Sequence, residues 1–62
     1  MNFEEKFALA PAWQKARYVK FANTLGIELS DDEKRYLLWL AGWDQETEIV
    51  FTGLFSKLLN NN

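Results

Sequence analysis

The chain has 62 residues, 48% hydrophobic and 16% aromatic, with seven basic against nine acidic side chains and a net charge of −2. That length allows one domain. With neither Cys nor His, disulfides, thiol nucleophiles, imidazole bases and the usual zinc ligands are excluded.

Asn2 and Glu5 are spaced as an Asn-x-x-Glu cap, which predicts a short first helix near residues 3–9 with Phe3 and Phe7 paired on one side. Pro11 fits the first turn of a second helix, where its missing amide costs nothing. Gly26 fits that helix's left-handed end, so the helix is expected over 12–25, with Ile27 placed to fold back onto Phe21 or Ala22. Tyr18, Phe21, Ala22 and Leu25 recur at helical spacing and form its core stripe. On the opposite side Trp13, Arg17, Lys20 and Thr24 recur at i, i+4, i+7 and i+11. A Trp one turn from an Arg can stack as a cation–π pair, and both types are enriched among interface hot spots. Trp13, Arg17 and Lys20 are therefore the expected partner-binding surface.

Ser30-Asp31-Asp32-Glu33 is a capping box whose carboxylates also oppose the positive end of the helix dipole, which predicts a third helix over 31–41. Tyr36-Leu37-Leu38-Trp39-Leu40-Ala41 is apolar all round, and such a helix is buried on several sides. A chain of 62 residues has few neighbours to supply, so the second face of this helix is expected to meet another molecule. Asp44 can cap a last helix over 45–59 that gathers Val50, Phe51, Leu54, Phe55 and Leu58 on one side. Ile49, Gly53 and Ser56 lie on another. A mid-helix glycine costs up to about 1 kcal/mol relative to Ala, and Gly53 is read as a mark of close backbone approach. Trp39, Trp43, Leu38, Ile49 and Gly53 are the expected self-association residues. The fold class is all-α: a compact three- to four-helix bundle with short connections, one domain over residues 1–62 with 60–62 as a frayed tail.

Chemistry finds little purchase on these residues. Asp31, Asp32, Glu33 and Asp44 are explained by capping, and Glu46 and Glu48 read as solvated charges. The hydroxyl residues have no His beside them and no Gly-x-Ser-x-Gly elbow. Ser56 and Lys57 are adjacent and so point about 100° apart around a helix. Gly26, Gly42 and Gly53 are isolated, so no phosphate-cradling loop is present. No catalytic, cofactor-binding or metal-binding residue is expected. Charge is uneven, with four basic against two acidic residues over 1–26 and three against seven over 27–62, or +2 and −4.

No apolar run approaches the roughly 18 residues of a membrane span, and Met1-Asn2-Phe3-Glu4-Glu5-Lys6 lacks a signal-peptide pattern, so a cytoplasmic location is expected. The expected function is non-enzymatic: a homodimeric accessory or regulatory factor that acts by binding another protein. The alternative is a nucleic-acid-binding regulator, with the third and fourth helices as a helix-turn-helix-like hairpin across Gly42-Trp43-Asp44. Its recognition helix would open with Asp44, Gln45, Glu46 and Glu48, carboxylates facing a polyanion, which makes nucleic acid the less favoured partner.

Overall fold

The computed structural model describes residues 1–60, which form four α-helices: α1 Phe3–Leu9, α2 Ala12–Leu25, α3 Asp31–Ala41 and α4 Gln45–Asn60. Helix starts follow the local capping chemistry. The Asn2 side chain accepts from the Glu5 amide at 2.9 Å. Ser30 and Glu33 complete the capping box, the Ser30 hydroxyl accepting from the Glu33 amide at 3.2 Å and the Glu33 carboxylate from the Ser30 amide at 2.8 Å. Asp44 accepts from both the amide and the hydroxyl of Thr47, at 2.9 and 2.7 Å. These bonds favour the ionised form, so both carboxyls are held below their ordinary range: Glu33 by the Ser30 amide and then its hydroxyl, Asp44 by the Thr47 hydroxyl and then its amide.

Three local expectations need correction. Pro11 stands just before α2 rather than in its first turn, and its carbonyl accepts from the Gln14 and Lys15 amides at 3.0 and 3.1 Å. Gly26 ends α2 with φ of 63°, as a left-handed end requires, but Ile27 does not fold back; it is 62% exposed. Leu29 packs against the core in its place. Asn60 belongs to α4 rather than to a tail, and residues 61 and 62 of the expected tail lie outside the described residues.

The hub is α2, which packs against both α3 and α4, while α1 packs on α3. Tyr18 and Phe21 from α2 and Leu37, Leu38 and Ala41 from α3 are the buried residues. Aromatic rings extend this core at both ends. Phe3 and Phe7 lie 5.0 and 5.6 Å from Tyr18, whose phenol burial pushes up in pKa. Phe55 meets Phe21 edge-on at 5.7 Å, with Phe51 6.0 Å beyond it; such pairs contribute roughly 0.5–1.5 kcal/mol each beyond their area.

The four helices make a slab, with Cα extents of 37 × 24 × 13 Å. The extensive packing is limited to α2 with α3, α2 with α4 and α1 with α3, so α1 and α4 each have one principal neighbour. For α4 the consequence is direct. It packs principally on α2, and one neighbour covers one strip, Phe51 and Phe55. Val50, Leu54 and Leu58, expected on the same core face, are instead 56%, 44% and 65% exposed. Among the described residues, no helix is long and apolar enough to cross a membrane.

Candidate functional site

On the expected partner surface of α2, Trp13 and Lys20 are at least half exposed, whereas Arg17 is largely covered. The Arg17 Nε lies 3.3 Å from one oxygen of Glu48, and the Lys20 Nζ lies 3.3 Å from the other. Arg17 also donates to the Trp43 carbonyl. Its side chain is 19% exposed and that of Glu48 16%, so both are committed within the chain. Trp13 does stack with Arg17, the guanidinium 5.0 Å from its ring centre, and stays half exposed. Glu48, expected to be a solvated charge, is instead 16% exposed and joins α4 to the basic residues Arg17 and Lys20 of α2. The opposite charges of the two halves were the available signal, without saying which acid would meet which base.

On α3 the capping box fixes the start, and the phase of the helix does the rest. Leu37, Leu38 and Ala41 turn inward, which sends Tyr36 and Trp39 to the other side, followed by Trp43 after the helix ends. Leu38, expected in self-association, is 4% exposed, and its carbonyl accepts from the Gln14 side chain at 2.9 Å. It belongs to the chain's own core and offers no surface. Tyr36, Trp39 and Trp43 are 71%, 60% and 51% exposed, and Trp39 meets Trp43 edge-on at 5.5 Å. Tyr36 was missed in sequence, although Tyr36, Trp39 and Trp43 recur at i, i+3 and i+7, one helical stripe opposite the core.

This aromatic ridge stands between two hollows. On one flank an apolar groove of about 500 Å³ runs along α3, completed by Leu25 at the end of α2, Leu29 of the connection and Phe51 of α4, with Leu37 and Leu40 in its lining and Glu33 beside them. A smaller hollow of about 200 Å³ lies on the other flank, lined by Lys6, Arg35, Tyr36 and Trp39. There the Arg35 guanidinium is held by Asp31 at 3.2 Å and by Asp32, and Asp31 also accepts from the Phe3 amide at 3.2 Å, tying the start of α1 to α3. Lys6 makes no ion pair among the described residues.

Ile49 and Gly53 lie elsewhere, on the outer face of α4. Ile49 is 63% exposed, and a Cβ built on Gly53 would meet nothing within 4 Å. The glycine that marks close approach within this chain is Gly42, where a Cβ would lie 2.8 Å from Gln14 Nε2 and 3.2 Å from the Trp39 carbonyl. Among the described residues no three metal-binding side chains converge. Comparison with family models, curated proteins and solved structures finds no match to this chain.

Proposed function

We propose that this protein is a non-enzymatic, cytoplasmic accessory or regulatory factor, homodimeric in its working state, that binds another protein through the aromatic ridge of α3. The observation that carries the reading is the ridge with its groove: Tyr36, Trp39 and Trp43 stand more than half exposed, and Tyr36 and Trp39 border a 500 Å³ apolar hollow. Exposed apolar surface of this kind costs solubility unless something covers it. Trp and Tyr are also the residues that anchor interfaces. An apolar groove along a helix suits an amphipathic segment that lays its apolar side chains into it. Lys6, unpaired on the far side of the ridge, favours a segment that also carries an acidic residue.

Nucleic acid has no such observation in its favour. Arg17 and Lys20 are occupied by Glu48, and the outer face of α4, which would be the recognition surface, presents Ile49, Val50 and Leu54 with Glu46 and a single Lys57.

The test is a quantitative comparison of what tagged wild-type protein and Trp39→Ala retain from the source cells, with Trp13→Ala as control. The expected result is one or more proteins whose binding weakens about tenfold or more with Trp39→Ala, the size of a hot-spot loss, and is unchanged by Trp13→Ala. Retention that is equal in wild type and Trp39→Ala contradicts the assignment.

A further inference from the structure

The outer face of α4 is self-complementary. Its exposed residues Glu46, Ile49, Val50, Gly53, Leu54 and Lys57 fall within an arc of about 140° at 100° per residue, opposite Phe51 and Phe55, which meet the core. No other helix packs substantially on that arc. Laid antiparallel against a second copy of itself about a two-fold axis between residues 51 and 52, the face pairs each residue with its own complement. Glu46 comes opposite Lys57, Ile49 opposite Leu54, and Val50 opposite Gly53. Neither Glu46 nor Lys57 is ion-paired within the chain among the described residues. Gly53, with open space where its Cβ would be, leaves room for Val50 of the facing helix. The glycine that sequence reading marked for close approach has no such contact inside the chain, and this arrangement supplies one.

We infer that α4 pairs antiparallel with α4 of a second copy, with Glu46 and Lys57 forming two symmetric ion pairs at the ends of an Ile49–Val50–Gly53–Leu54 seam. The symmetry is that of an isologous dimer, in which each contact occurs twice. This rests on the homodimeric part of the function proposed above but uses a different surface from Tyr36, Trp39 and Trp43, so the two claims fail separately. Because one helix face is smaller than a standard interface of about 800 Å² per partner, association is expected in the micromolar range.

Sedimentation equilibrium on wild type, Glu46→Lys, Lys57→Glu and the double charge swap tests it, with circular dichroism showing that each variant folds. Each single change turns two attractive contacts into repulsive ones, and the expected result is about a tenfold rise in the dimer dissociation constant. The double swap restores the pairs and is expected to return dimerisation to within about twofold of wild type. A merely structural effect has the opposite sign, because both changes oppose the dipole of α4 and would add in the double variant. A dimer indifferent to the single charge changes but broken by Trp39→Ala would overturn the α4 pairing and move self-association to the α3 ridge. A chain monomeric at several hundred micromolar would overturn both the pairing and the homodimer, leaving partner binding at the ridge standing.

Discussion

Glu48 ties α4 to α2, because one carboxylate meets both Arg17 and Lys20 while Arg17 also holds the Trp43 carbonyl. Exposed ion pairs contribute little, but the Arg17–Glu48 pair is mostly covered, and hydrogen bonds to charged groups are worth more than neutral ones. Glu48→Gln is expected to cost about 1–2 kcal/mol, read as a lower melting temperature at low micromolar concentration, while Glu46→Gln stays within about 0.5 kcal/mol. Equal effects at the two positions would show that Glu48 does not pin α4 to α2. A second residue-scale expectation follows from pH. The Glu33 and Asp44 carboxyls titrate lower in the folded chain than in the unfolded one. The stability they add is therefore present above the ordinary carboxylate range and lost as pH falls through their lowered values. Asp44→Asn keeps an acceptor at the cap and removes its titration. Thermal melts between about pH 5 and pH 2 are expected to show a smaller loss for that variant than for the parent, and an identical loss would exclude the cap as a source of acid sensitivity. None of the Arg17–Glu48 bond was legible in sequence. A helical wheel shows that Arg17 and Lys20 share a face, but 31 residues separate Arg17 from Glu48, and nothing local tells which helix that face will meet.

At the scale of the helices, what is local was legible and what is relational was not. The starts of α1, α3 and α4 follow from Asn2, Ser30 with Glu33, and Asp44, because a cap needs only residues three positions apart. The exposure of Val50, Leu54 and Leu58 did not, since an apolar stripe states what a helix could bury and not how many neighbours arrive to bury it. The same distinction separates the two glycines. At Gly53 a Cβ meets open space, so Gly53→Ala should raise helix stability by up to about 1 kcal/mol in the separated chain. At Gly42 a Cβ would displace Gln14 Nε2, the donor to the Leu38 carbonyl, so Gly42→Ala should lose about 1 kcal/mol or more with that bond. Chemical denaturation of the pair reads both, and a loss of stability for Gly53→Ala would mean that a neighbour already fills the space.

For the molecule as a whole, the phenylalanines and tryptophans separate, while the tyrosines split, Tyr18 inside and Tyr36 outside. Phe3, Phe7, Tyr18, Phe21, Phe51 and Phe55 line or extend the core, whereas Trp13, Trp39 and Trp43 are each at least half exposed. Sequence showed the surplus; it could not show that the faces carrying the tryptophans would meet no other helix closely enough to be buried. Five buried residues among those described make a small core, and chains of about this length bury only about 60% of their unfolded surface. Covering the open faces is therefore expected to add stability that a lone chain lacks, and a folded state held by association melts higher as concentration rises. Thermal unfolding of wild type at about 5 and about 500 µM, alongside Glu46→Lys, is the most direct measurement of that dependence. The expected result is a rise of about 5–10 °C across that range for wild type and a much smaller rise for Glu46→Lys. A wild-type melting temperature that does not move with concentration would contradict it.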